Sequence, residues 1–476
     1  MRVGETAVVI IYLALLIGAG IFFRKMASRS SEDYWVAGRE LPAYVACLGL
    51  LALSTSGSMI IGGPGIVYKM GWSMGWGMTW GAAFGLVAAA ILIAMPLRNS
   101  GVVSIGEFMN RRYNHPLTKI LFSVLLFVGL LGYIIGNLKA ATLGFVYLSG
   151  VSYVTALTVV MLVFTLYILL GGMWAAGWID LFQGAMVLLL LAVMAPASLI
   201  YFGGFSELVV KSAVEIPRIA GINFPYISYL GAFFNWFIAF AILPHLVMRV
   251  LSTKTNKGSR WALNMTALLF MGFTVIFCAV VGTAGIRLDP TLKDADYVFY
   301  NLLAHIVGSP VVRGIIMSCV FAAIISTVAG LLLSAAAILS NDIYAKWIRP
   351  KATQKEMVMV GRIGVIFCAL VCWILSVKPP QFVVVAIMYG IAVMGCGLFF
   401  PIVLGIWWKR VNVSGAVAGI LSGTVVYLYF QLATKVPMFS PVIYGLLVSL
   451  ALTVAVSLIT PAPVSKSQQL TSGEGA

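Results

Sequence analysis

The sequence predicts an all-α protein that crosses a membrane about thirteen times. Of its 476 residues, 62% are hydrophobic and 9% charged, and the mean hydropathy is +1.05. A soluble chain of this length needs far more polar surface. The apolar residues also come in runs of about 20, the length that crosses the hydrocarbon of a bilayer. Finally, the largest stretches between runs, around 203–226 and 286–310, are too short to fold as separate domains.

The runs lie near 6–23, 42–68, 73–97, 117–149, 153–171, 178–202, 227–249, 261–285, 311–340, 357–377, 381–407, 413–433 and 439–459. One transmembrane domain is expected over 1–460, followed by a polar, disordered tail over 461–476. Positive charges follow the first run (Arg24, Lys25, Arg29) and no small-residue cleavage pattern comes after it. It reads as a retained helix with its N-terminus outside. With thirteen spans, twenty of the 30 Lys and Arg then fall on the cytoplasmic side, nine outside, and Lys139 within the membrane. That bias fits a plasma-membrane protein whose C-terminus is cytoplasmic. The net charge of +16 is therefore read as cytoplasmic loops, not as a nucleic-acid surface.

The second span carries Ser54-Thr55-Ser56-Gly57-Ser58 and then Gly62-Gly63-Pro64-Gly65, a density of hydroxyls and glycines that weakens a continuous helix. The seventh carries Asn235-Trp236 and later Pro244-His245. The two are five spans apart, so spans 2–6 and 7–11 suit an inverted 5+5 repeat with broken helices at matching positions, where ion-coupled carriers place their sites. A close-packing glycine face is the competing reading of the second span.

In the fourth span Tyr133 and Asn137 share a face. Lys139 lies about ten residues, ~15 Å, from the outer end. Its side chain leans toward the helix N-terminus, away from that end. Lacking an acidic partner in the sequence, it is expected to attract an anion, a water-filled pocket or a lowered pKa being the alternative. Asp180, opening the sixth span, is read as the only carboxylate in or near a span. It either caps that helix or lies on an ion path.

The ninth span contains FAAIISTVAGLLLSAAAILSNDIY, with adjacent hydroxyls at Ser326 and Thr327. Ala323, Ser326 and Thr327 share one helical face. With carbonyls freed at Ala52 and Thr55 of the second span, the two hydroxyls could cage a bare sodium ion. Back-bonding to their own helix is the equally open alternative.

This run resembles the signature of the sodium:solute symporter family. SEDYWVAGREL (31–41), IIGGPGIVYKMG (60–71), LLGGMWAAGWIDLFQ (169–183), LPHLVMR (243–249) and DADYVFYNLL (294–303) resemble further pieces of it, in the family's order. KPP (378–380) and PIVLGIW (401–407) resemble its pantothenate branch. The resemblance implies the inverted-repeat fold. It also implies sodium held by the carbonyls of Ala52, Thr55 and Ala323 and the hydroxyls of Ser326 and Thr327, with Asp180 on the exit path. Proline carriers of the family have aspartate where this chain has Ser54. The substrate is expected among Ser54, Ser56, Gly57, Tyr133, Asn137, Lys139, Trp236 and Phe240. Aromatics surround the substrate at the positions of Tyr133, Trp236 and Phe240 in proline carriers, the last being tyrosine there.

The expected function is sodium-coupled import of a small organic anion, a monocarboxylate or pantothenate, by alternating access. A sodium/proline or other amino-acid symporter is the alternative, and a transporter-like sensor without net flux a further one. Proton coupling stays open through Lys139 or Asp180. The dispersed His115, His245 and His305 and the six cysteines, all inside spans, offer no transition-metal spacing. No GxxxxGK[ST] motif occurs, and enzyme chemistry is not expected. The expected partners are the solute, sodium and lipid, with no cofactor beyond the coupling ion.

Overall fold

The computed structural model describes residues 2–27, 31–378 and 382–463. The tail beyond 463, Arg29 and the two prolines of the KPP motif lie outside the described residues. Thirteen apolar helices dominate: α1 (Val3–Phe22), α2 (Ala43–Met70), α3 (Trp72–Asn99), α4 (Pro116–Ser149), α5 (Tyr153–Leu169), α6 (Ala176–Tyr201), α7 (Tyr226–Leu251), α8 (Asn256–Leu288), α9 (Pro310–Ala345), α10 (Lys355–Ser376), α11 (Val383–Trp407), α12 (Val413–Ala433) and α13 (Ser440–Ile459). Twelve are long enough to cross a membrane; α5 is shorter. The backbone is helical throughout Tyr153–Tyr201, 49 residues. At about 1.5 Å per residue that is ~73 Å, more than two hydrocarbon thicknesses and too long for a single pass, so α5 and α6 are described separately.

Local chemistry sets the helix ends. Pro116 opens α4, with His115 Nδ1 accepting from the Leu117 N–H at 3.2 Å, and Gly150 closes it at φ 70°. Thr353 and Glu356 form a capping box at the start of α10. The breaks are equally local. In α2, Ser56 leaves helical geometry and a wide π-type turn, Ser58–Gly62, follows. In α7, Leu243 adopts φ −58°, ψ 120°, the extended conformation required of a residue before proline, and Pro244 starts the second half.

The two broken helices run antiparallel. Leu41, just before α2, exchanges backbone hydrogen bonds with Ser252 and Lys254, just after α7. At the other end Asn223, before α7, donates to the Met70 carbonyl that ends α2, at 3.4 Å. This is the geometry of an inverted repeat. One end of the bundle, the near face, also gathers the starts of α1 and α9 with the end of α4. There Arg2 N–H donates to Leu148 O at 3.1 Å and Arg313 pairs with Glu5 at 2.5 Å. The far face holds Leu41 and Ser252.

Within their most apolar stretches α2 and α9 are 94% buried, against 33% for α1, α10, α12 and α13. The first two form the centre and the other four the lipid-facing rim. Close approach depends on small residues. On α3, a Cβ added at Gly81 would stand 3.0 Å from the carbonyl carbon of Phe233 on α7. Backbone cannot yield as a side-chain tip can. Gly81→Leu is therefore expected to cost about 1–3 kcal/mol or more, read as a lowered unfolding midpoint in detergent and loss of a monodisperse peak.

Candidate functional site

The α2 break, α4, the α7 break and α9 converge at the centre. The Ser56 and Ser58 hydroxyls share a hydrogen bond at 2.5 Å, and the Tyr133 hydroxyl stands 3.4 Å from Ser56 Oγ. Asn137 Oδ1 accepts the Gly57 N–H at 2.9 Å, and its Nδ2 donates to Tyr133 O at 3.0 Å. The Asn137 amide thus takes over a backbone donor released where α2 breaks. Gly57 has no room for a side chain, since an added Cβ would lie 2.7 Å from Ala140 Cβ and 3.1 Å from Asn137 Oδ1. From α7, the His245 ring meets the Tyr133 ring edge-on at 5.8 Å. Between α2 and α7, Gly330 of α9 lets Leu53 and His245 approach.

On α9 the hydroxyl pair is back-bonded. Ser326 Oγ and Thr327 Oγ1 both donate to Ala323 O at 2.9 Å, and Thr327 Oγ1 also reaches Leu53 O on α2 at 3.0 Å. Back-bonding and contact with the second span therefore coexist. The interhelical carbonyl belongs to Leu53, between the expected Ala52 and Thr55. Ala52, Thr55 and Ala323 are fully buried. The Ser54 and Thr55 hydroxyls are buried with no hydrogen-bond partner among the described residues, as are both His245 nitrogens and Trp236 Nε1. Orphaned polar atoms of this kind are costly unless a ligand completes them. Hydroxyl and carbonyl oxygens with no carboxylate among them suit a monovalent cation. Among the described residues no three His, Cys, Asp or Glu gather as a metal cluster.

The remaining sequence-derived positions are more scattered. Trp236 is fully buried on α7, seven residues before its break at Leu243, while the ring contacts of Phe240 run to Trp236 and to Phe270 of α8. Asp180 is not alone. It pairs with Arg249, the last residue of the LPHLVMR segment, and both are almost fully buried. A Cβ on Gly49 of α2 would touch both partners at 3.4 Å, so the pair closes the gap between α2, α6 and α7. Glu5 of α1 and Asp342 of α9 are buried as well, which corrects the reading of Asp180 as the only carboxylate in or near a span.

Lys139 requires a second correction. Its ammonium donates to Asp296 at 2.7 Å, so it is a paired cation and not a vacant anion receptor. Asp296 sits in a short turn between α8 and α9, outside every span, where helical spacing gives no sign of its partner. The dispersed histidines give no sign of His245 as a site residue; its address one residue after the α7 proline does.

The model of the sodium:solute symporter family matches residues 34–423. The osmoregulated proline transporter OpuE of Bacillus subtilis is 27% identical, the match covering 97% of this chain and 96% of that protein. A sodium/proline symporter of Staphylococcus aureus is 28% identical over 95% of this chain and 92% of its own. Among solved structures, an outward-open Na+-coupled sialic acid symporter superposes with TM-score 0.80 at 19% identity, covering 96% of this chain and 98% of that one. A nucleobase-cation-symport-1 transporter in a closed conformation gives 0.54 at 13%, covering 94% and 99%. The family match over most of the chain leads to one assignment: this chain belongs to the sodium:solute symporter family.

Proposed function

We propose that the chain is a sodium-coupled symporter that imports a small, net-neutral solute of the proline type by alternating access. One observation carries the reading of the solute. The central side chains Ser54, Ser56, Tyr133, Asn137, Trp236 and His245 offer hydrogen-bonding groups and aromatic surface but no Asp, Glu, Lys or Arg. A buried net charge without a counter-charge is expensive, whereas a zwitterion brings both charges itself. With Lys139 paired to Asp296, the charge argument for an organic anion loses its support. The proline-transporting relatives favour the same reading.

In this reading sodium is held by Ser326 and Thr327 together with α2 carbonyls, those of Ala52 and Thr55 or the Leu53 carbonyl that touches Thr327. Bridging α2 and α9, the ion stabilises the arrangement that binds solute. Coupling is reciprocal, so solute raises sodium affinity by the same factor. The far face, flanked by Arg111-Arg112 and by Lys254, Lys257 and Arg260, is cytoplasmic under the positive-inside rule. Asp180, paired to Arg249 toward that face, lies where a departing ion passes.

The test is uptake into proteoliposomes under an imposed sodium gradient, with labelled proline, pantothenate, pyruvate and acetate in parallel and a proton gradient as control. Sodium-dependent proline uptake is expected. Uptake of an organic acid instead would restore the anion reading, and uptake unchanged with choline in place of sodium would remove the symport reading. Asn137→Ala is expected to lower apparent solute affinity about tenfold, since it strands the Gly57 N–H at the break, a loss of about 1–3 kcal/mol.

A further inference from the structure

One buried polar junction takes no part in the central site. Lys139 of α4 donates to Asp296 Oδ2 at 2.7 Å, and the same oxygen accepts the backbone N–H of Val383, the first residue of α11, at 3.0 Å. Both side chains are almost fully buried. Burial raises the Asp296 carboxyl above its ordinary pKa, while the Lys139 ammonium and the Val383 N–H pull it back down. The carboxylate holds the helix-end N–H, a donor with no partner inside its own helix. Around this junction the near-face half of α2 approaches the 295–297 turn and α11 closely, beside a small pocket lined by Gly62, Gly65, Asp296 and Val384. A Cβ on Gly65 would stand 2.9 Å from Ala295 O, and Gly62 abuts Val384. On α4, a Cβ on Gly136 would stand 2.9 Å from Val383 O, and the Tyr300 hydroxyl donates to Ala140 O at 3.1 Å. Asn137 and Ala140, which touch Gly57 at the central site, flank Lys139 on the same helix.

The junction therefore caps the centre at the near face and joins α2, α4, the 295–297 turn and α11. We propose that Lys139, Asp296 and the Val383 N–H form a latch that closes the near-face route to the central site and must open to admit solute. The inference rests on the alternating-access reading above. Opening costs more than an exposed ion pair would, because each partner loses its counter-charge in a dry setting. The latch is thus a setting of the balance between near-face-open and near-face-closed states.

The test uses the full chain in vesicles, with Ser58→Cys as reporter and a membrane-impermeant methanethiosulfonate reagent applied from each face in turn. The six native cysteines are buried, and the chain without the reporter supplies the background. Lys139→Met and Asp296→Asn are each expected to speed near-face labelling about tenfold or more and to slow far-face labelling, as a shifted two-state equilibrium requires. Unchanged near-face labelling in both variants would overturn the latch, and so would acceleration from both faces, which marks general loosening.

Val383→Pro keeps every charge and removes the N–H, exchanging the buried valine side chain for a proline ring. Phe382, at φ −121° and ψ 138°, already has the conformation that precedes proline, and proline is tolerated in a first helical turn. It is expected to speed near-face labelling by a smaller factor. If the charge variants do not fold, this variant decides, unchanged labelling overturning the proposal. Labelling needs neither solute nor a sodium gradient, so the result stands apart from whether proline is carried.

Discussion

Replacing Ser326 and Thr327 together with alanine is expected to raise the sodium concentration for half-maximal uptake about a hundredfold, and Thr327→Ala alone about tenfold. The two hydroxyls are fully buried, lie one residue apart on α9, and one of them already touches an α2 carbonyl. A bare sodium ion between these helices has few other oxygens to exchange for water. Each ligand removed costs about 1.5–3 kcal/mol, and 1.4 kcal/mol is a factor of ten. Cys368→Ala, also buried but on α10, is the matched control and should stay within about twofold. Sodium dependence measured in proteoliposomes separates ion binding from folding. A double variant of normal abundance and unaltered sodium dependence would show that the hydroxyls serve only to cap their own turn of α9.

Arg249→Met is expected to be the most destabilising of the polar substitutions, by about 3–5 kcal/mol, because it leaves Asp180 as an uncompensated buried charge. The pair sits among α2, α6 and α7, where Gly49 and Gly177 make room for the guanidinium. Asp180→Asn should cost less, since an amide keeps some hydrogen bonding to the guanidinium. The combined Asp180→Asn/Arg249→Met variant should recover most of the loss, because no charge then remains buried. Unfolding midpoints in detergent for the four proteins give the coupling directly. A double variant as unstable as Arg249→Met alone would mean that Arg249 acts through packing of its alkyl stem. In the reading of Asp180 as an ion-path residue, the recovered double variant should still transport slowly.

Much of this fold was legible because a bilayer allows few solutions. Runs of about 20 apolar residues must be helices, since lipid cannot satisfy a backbone N–H or C=O. Thirteen such runs appear in the sequence; among the described residues twelve helices are long enough to cross a membrane, and Tyr153–Leu169 is a shorter thirteenth. The breaks were legible for a local reason as well. Pro244 denies Leu243 its helical ψ, and hydroxyl and glycine density weakens α2 at Ser56. The hydroxyls of Ser326 and Thr327, and the shared face of Tyr133 and Asn137, followed from helical spacing alone.

The errors have a common origin. Lys139 and Asp296 are 157 positions apart, and Asp180 and Arg249 are 69 apart. Helical periodicity says which residues share a face of one helix but not which face of another helix it meets. The sequence by itself therefore determined where the apolar helices lie, the two breaks and the address of the hydroxyl pair. Only the tertiary structure decided which charges neutralise each other. Those pairings depend on close packing of α2 against α4, α6, α7 and α11 at glycines whose partners lie far along the chain. Buried ions must find a counter-charge wherever packing brings one within reach, and that distance is a property of the folded bundle alone.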